Sequence, residues 1–185
     1  MKEECWVPIL RLMRRLALFL AFAGAGVATA VGAASPTTVV RVDGRIGALR
    51  IDVATEAQVR AIAGKPDRVE DEFFPPAKSP VGHTLYYRCG RGCETAYSIN
   101  NATGKLSDFE TSSPSFMTDR GSRVGMRASE AARREGKKFV PGCGTGPYLH
   151  LRWATHHVFV LTGWGGKVRQ IIYLGPHTIY YDGLC

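Results

Sequence analysis

Apolar and polar residues along this chain alternate with two different periods, and the changes of period mark its elements. In Gly47-Ala-Leu-Arg-Ile-Asp-Val-Ala-Thr-Glu-Ala-Gln-Val-Arg-Ala-Ile-Ala-Gly-Lys-Pro66, Val59 and Ile62 share one helical face. Thr55 stands at the cap, Gln58 three residues on, and Gly64 and Pro66 act as stop signals. A second amphipathic stretch, Gly121-Ser-Arg-Val-Gly-Met-Arg-Ala-Ser-Glu-Ala-Ala-Arg-Arg-Glu-Gly136, predicts a helix with Ser129 at its cap, Glu130 in its first turn and Gly136 at its end. Each helix is followed by runs of period two. These predict strands over 68–74, 83–89, 94–100 and 105–111, then over 148–153, 157–162, 168–174 and 178–181. Asn101-Ala-Thr-Gly104 and Gly165-Gly166 supply hairpin turns. The fold class expected is α+β, in two tandem modules that each pack a short helix on an antiparallel sheet.

The first residues follow a different logic. Arg11, Arg14 and Arg15 precede the apolar run Leu16 to Ala23, and Val31-Gly32-Ala33 fits the small-x-small cleavage rule, so residues 1–33 are expected to be a signal peptide. An uncleaved anchor is the alternative, because the stretch from Leu16 to Ala34 approaches spanning length. Residues 34–43 are expected as a flexible N-terminal segment, 44–114 as the first helix-plus-meander module and 115–185 as the second. The expected location is secreted or cell envelope.

The chain has 185 residues, 45% of them hydrophobic and 22% charged, which suits one compact domain or two small modules and excludes a disordered or collagen-like chain. Lys plus Arg number 24 against 16 Asp plus Glu, a formal charge of +8. Removing residues 1–34 leaves about +6, a balance that favours anionic partners through association rate and non-specific attraction. The dense basic cluster, Arg133-Arg134 with Lys137-Lys138, lies at a helix end where cations complement the macrodipole. No interleaved aromatic stacking motif accompanies it, so no specific nucleic-acid binding is expected.

After cleavage four cysteines remain, Cys89, Cys93, Cys143 and Cys185. An even count in an exported chain reads as two disulfides. Cys89-Gly-Arg-Gly-Cys93 closes a short Gly-containing loop between two strand-like runs, so these two thiols are expected to pair, leaving Cys143 for Cys185. A zinc site at Cys89 and Cys93 is the rival reading, but Cys-x3-Cys is not a ribbon-knuckle spacing, and no metal or cofactor is expected.

The stretch Ile51-Asp-Val-Ala-Thr-Glu-Ala-Gln-Val-Arg-Ala-Ile-Ala-Gly-Lys-Pro-Asp67 resembles the "G-M-T-x-x-Q/E-V-x-x-x-x-G-x-P" signature of the BamE/SmpA/OmlA-type fold, and Val124-Gly-Met126 with Ser129-Glu130 echoes it. Asp52 occupies the position where that signature has Gly. Two such modules in tandem, exported and disulfide-bearing, resemble the β-lactamase inhibitor protein architecture. The resemblance implies helices packed on one sheet face and a concave opposite face that binds another protein.

Strand alternation nominates side chains for that face. In Tyr148-Leu-His-Leu-Arg-Trp153, Tyr148, His150 and Arg152 share one side. Aromatic, His and Arg side chains offer large contact area with polar tips, the composition enriched at interface hot spots. Tyr86 with Arg88, His157, Trp164, and Arg169 with Tyr173 extend the set. Catalytic constellations are missing: there is no Gly-x-Ser-x-Gly elbow and no His-Glu-x-x-His, and in Gly142-Cys-Gly144-Thr-Gly146 the helix that a phosphate loop requires is replaced by a strand-like run. The expected function is therefore an exported, non-catalytic protein-binding module acting through an aromatic and basic sheet face. An envelope protein held to anionic wall or lipid components by charge, or an enzyme of unrecognised type, are the alternatives.

Overall fold

The computed structural model describes residues 37–73, 78–141, 146–154 and 157–175. Among the described residues eleven strands and two helices follow one another as β1 (Thr38–Val40), β2 (Arg45–Ile46), β3 (Leu49–Arg50), α1 (Glu56–Ala63), β4 (Arg68–Glu72), β5 (Gly82–Gly90), β6 (Cys93–Asn100), β7 (Lys105–Thr111), β8 (Phe116–Thr118), α2 (Ala128–Glu135), β9 (Tyr148–Ala154), β10 (His157–Trp164) and β11 (Lys167–Leu174). The fold is α+β with strand dominant. The strand expected over 178–181 lies outside the described residues, as do residues 1–33.

Helix α1 begins where its capping chemistry dictates. The Thr55 hydroxyl accepts from the Gln58 amide at 3.3 Å, and the Gln58 side chain accepts the Thr55 amide at 2.8 Å, which satisfies two of the donors a helix start leaves open. Its buried stripe is Val59, with Ala63 one turn on, whereas Ile62 is 57% exposed. The expected pairing of Val59 with Ile62 is thus corrected by one position. The cap position of helix α2 is Arg127 rather than Ser129, without a side-chain cap hydrogen bond, and the helix ends as expected in a left-handed Gly136. It buries Ala131 and Glu135, and the Glu135 carboxylate accepts the Thr118 hydroxyl at 2.6 Å.

The strands assemble into two sheets. One has the order β3-β2-β1-β8, with β1 and β8 parallel. Residues 38–40, expected in a flexible segment, thereby become part of the structure. The other sheet has seven strands in the order β4-β5-β6-β7-β11-β10-β9, every pair antiparallel. The strands that follow α1 and those that follow α2 meet at β7 and β11, where Phe109 faces Tyr173 and Glu110 faces Ile172.

One face of the large sheet holds the core. Leu85, Tyr97, Phe109, Tyr173 and Phe159 lie opposite one another on five neighbouring strands and all are buried. Ring contacts run from Tyr87 to Tyr97 (5.7 Å, edge-on), to Phe109 (5.3 Å) and on to Phe116 of the small sheet (5.2 Å), the tilted arrangements aromatic quadrupoles favour. The turn between β1 and β2 closes on the same face. Gly44 there has φ 84°, and a Cβ would come within 3.3 Å of the Tyr173 hydroxyl, which donates to the Val42 carbonyl. Asp52, in the position where the resemblance expects Gly, has φ 62°, a conformation Asp tolerates better than most residues with a Cβ.

Candidate functional site

The opposite face of the large sheet carries polar and small side chains. In β6, Thr95, Tyr97 and Ile99 point into the core, so Glu94, Ala96 and Ser98 point the other way. Their cross-strand neighbours are Arg88, Tyr86 and Thr84 on β5 and Glu110 and Asp108 on β7. A bulge between β6 and β7, where Ser98 pairs with Asp108 but Ile99 with Leu106, lets Leu106 and Phe109 both face the core while Asp108 and Glu110 face out. Because Ala96 and Ser98 are short, the middle of this face sinks into an open depression of about 480 Å³. Glu72, Glu94, Asp108, Glu110, Tyr86 and Gln170 are among its walls.

The electrostatics of this depression oppose those of the whole chain. The charge is +8 overall, yet Glu70, Glu72, Glu94, Asp108 and Glu110 outnumber Arg68 and Arg88 on this part of the sheet. Arg68 is already committed: its guanidinium lies 3.7 Å from the Tyr86 ring centroid and pairs with Glu70 and Glu94. Glu72 accepts the Thr84 hydroxyl, and Glu110 accepts the Gln170 amide at 2.5 Å. Burial, with the Glu94 charge adding to it, pushes the Glu110 carboxyl above the ordinary carboxylate range against the lowering effect of Gln170.

Among the described residues, the predicted binding side chains do not converge on one surface. Tyr86 and Arg88 belong to the open face, Tyr86 beneath Arg68 and Arg88 exposed, with its backbone amide donating to Asp67 at 2.7 Å. Tyr173 is a correction: it is fully buried on the core face, its ring tilted by 39° against that of Phe159 at 5.4 Å. Tyr148 is 4% exposed and its ring lies 4.6 Å from His150. The neighbouring Val160 and Thr162 are buried too, so this end of the face is covered. Burial, then the Lys137 charge, lowers the His150 pKa. The alternation from Tyr148 to Arg152 is also interrupted, since Val160 pairs with His150 while its neighbour Phe159 pairs with Arg152. Arg169 is exposed and donates to the Trp164 carbonyl at 3.3 Å, and Trp164 is 60% exposed at the hairpin tip. The side chains of Arg152 and His157, and Cys143 and Cys185 with their expected pairing, lie outside the described residues.

Cys89 and Cys93 are disulfide-bonded with Cα atoms 5.1 Å apart, which closes the β5–β6 hairpin beside the open face. Among the described residues no group of three or more His, Cys, Asp or Glu is placed to hold a metal ion, and no helix is long and apolar enough to cross a membrane. Sequence reasoning passed over Glu72, Glu94, Glu110, Ser98 and Gln170. Glu94-x-Ala96-x-Ser98 was readable as an outward polar row, but its meeting with Glu72, Glu110 and Gln170 depends on strand order.

No family model matches the chain, and no curated protein matches it. A crystal structure of an extracellular protein containing a SCP domain from Bacillus anthracis str. Ames is similar at 8% identity and a TM-score of 0.44, over 65% of this chain and 43% of that one. The chain thus spans less than half the length of that protein, and a likeness of this size carries nothing about chemistry from one to the other.

Proposed function

We propose that this chain is an exported, non-catalytic binding protein whose working surface is the open face of the seven-stranded sheet. The observation that carries the reading is the division of that sheet: one face is packed with an aromatic core, and the other holds an accessible depression across β4, β5, β6, β7 and β11. A rigid sheet loses little conformational freedom on association, and the Cys89–Cys93 bond stiffens the hairpin that borders it. Export is supported by the basic and apolar leader over residues 11–33 and by the disulfide, a bond suited to oxidising compartments. The reading includes two tandem helix-plus-sheet modules joined at β7 and β11, in keeping with the resemblance to the β-lactamase inhibitor architecture.

The test is a pull-down from the envelope fraction and culture fluid of the source organism, at low and moderate salt, comparing the oxidised chain with Ala96→Arg. An Arg at position 96 fills the floor of the depression without touching the core face. The expected result is one protein retained at both salts by the native chain and lost from the variant. Retention unchanged by the substitution, or retention only of polyanions that vanishes as salt rises, refutes the proposal.

A further inference from the structure

Charge is divided along the large sheet. Its acidic residues all lie on β4, β6 and β7, whereas from Lys137 to Tyr181 the sequence has Lys137, Lys138, Arg152, Lys167 and Arg169 and no Asp or Glu. The β10–β11 hairpin presents an aromatic ring within that cationic stretch. Its Gly165-Gly166 turn has φ 59° and 72°, the positive values a type I′ turn requires, and sets Trp164 directly opposite Lys167. On its other side Lys167 bridges to Arg127, where Ala128 donates its amide to the Gly166 carbonyl at 2.8 Å and the Met126 carbonyl accepts the Val168 amide at 2.9 Å. Directly paired residues project to the same side of a sheet, so Trp164, Lys167 and Arg127 stand in one row. Arg169 joins them, its Nε donating to the Trp164 carbonyl at 3.3 Å. The three cations are exposed, and among the described residues none has a carboxylate within ion-pair distance. The indole is 60% exposed and rests against Gly146, where an added Cβ would lie 2.7 Å from it. It is held at the hairpin tip with its outer surface in solvent.

We infer that this hairpin end docks on an anionic phospholipid surface, with Trp164 entering the headgroup layer and Arg127, Lys167 and Arg169 meeting lipid phosphates. An indole favours the boundary between hydrocarbon and water, where its ring is in apolar surroundings and its N–H in wet ones. A Lys or Arg held near an anionic bilayer strengthens binding by about fivefold. The two features together select a lipid surface over other anionic partners. A single-stranded nucleic acid needs several rings on which successive bases stack, and one indole beside a Gly-Gly turn does not supply them. A soluble anionic polymer would engage the cations and leave the indole without a role. The row shares no residue with the depression on the open face, so a chain docked by its hairpin still presents that face to a protein. The inference is independent of the proposed working face, and it gives the attraction to anionic partners a place in the fold.

The probe is a set of vesicles, one of equal parts phosphatidylcholine and phosphatidylglycerol and one of phosphatidylcholine alone, mixed with the oxidised chain as processed on export. Co-sedimentation is expected with the anionic vesicles and not with the neutral ones, together with a shift of tryptophan emission to the blue that Trp164→Ala abolishes. Entry of about 60 Å² of indole surface corresponds to about tenfold in affinity, the loss expected for Trp164→Ala. The double variant Lys167→Gln, Arg169→Gln should lose about twenty-fivefold. Lys65→Gln with Arg91→Gln removes the same charge from exposed positions away from the hairpin and should lose far less. Thermal unfolding checks that every variant is folded, and the exposed cation pair carries the test if Trp164→Ala does not fold. Equal binding to neutral vesicles, affinity unchanged by both hairpin variants, or an equal loss in the Lys65, Arg91 control overturns the inference. So does polyphosphate that displaces the vesicles while Trp164→Ala binds them as the native chain does, which assigns the cations to a soluble polyanion.

Discussion

Phe109→Ala tests whether the large sheet behaves as one cooperative body. Phe109 is 1% exposed, faces Tyr97 on β6 and Tyr173 on β11, and touches the rings of Tyr97 and Phe116. Removing the ring takes away roughly 100 Å² of buried apolar area, a transfer term of about 2.5 kcal/mol. The cavity left between two sheets cannot collapse fully and adds about 1 to 2 kcal/mol, for a total of about 4. Against a stability of about 5 to 15 kcal/mol the variant remains folded in the upper part of that range. Urea unfolding followed by far-ultraviolet dichroism and by tryptophan fluorescence is the assay, because Trp153 and Trp164 both belong to the β9–β11 half whereas Phe109 belongs to β7. Both transitions are expected to coincide and to move down together by about 2 M urea. A loss below about 1.5 kcal/mol, or a fluorescence transition that stays in place while the dichroism transition moves, would refute the reasoning.

Three further outcomes follow from local features. Replacing Cys89 and Cys93 by Ala should lower stability by about 2 kcal/mol, the entropy of a loop this short, and unreduced peptide mapping of the native chain should return Cys89 joined to Cys93. Glu56 feels burial, which would raise its pKa, but hydrogen bonds and charge from Arg60 and His83 outweigh this and lower it. Its contribution is therefore present above the ordinary carboxylate range and lost as pH falls through the lowered pKa, so thermal unfolding should separate Glu56→Gln from the native chain near neutrality and merge the two in acid. The helix caps predict opposite signs: Thr55→Ala should destabilise by about 1 kcal/mol, whereas Arg127→Asp should stabilise by about 0.5 to 1 by supplying the acceptor that α2 lacks, both read from urea midpoints.

What could be read from the sequence was what depends on neighbours in the chain. Period-two runs marked β5, β6, β7 and β11, and Thr55 with Gln58 marked the start of α1 because capping is a three-residue interaction. Ser129 misled for the same reason: it has the right chemistry, but the chain enters α2 two residues earlier, where the backbone at Arg127 bridges to Lys167. The small sheet was not legible because its strands have two or three residues and β1 finds its parallel partner β8 far along the chain. Tyr173 was misplaced because Ile171-Ile-Tyr-Leu174 is apolar on both sides and carries no inward or outward signal. The acidic depression was hidden for a topological reason, since Glu110 and Gln170 become neighbours only when β11 lies beside β7.

The seam at β7 and β11 also sets the order in which the molecule can form. Chain growth yields β4 to β7 as a contiguous antiparallel set well before β11 exists, and the contact between Glu110 and Gln170 spans a separation of 60 residues. During that interval Phe109 has its β6 neighbour but not Tyr173, so an apolar stripe and an unsatisfied strand edge sit side by side. An open strand edge beside apolar side chains is adhesive, and closing a sheet through distant segments is slow. Refolding yield should accordingly fall as protein concentration rises, and the centre of the sheet, rather than its rim, is where the nascent chain needs protection.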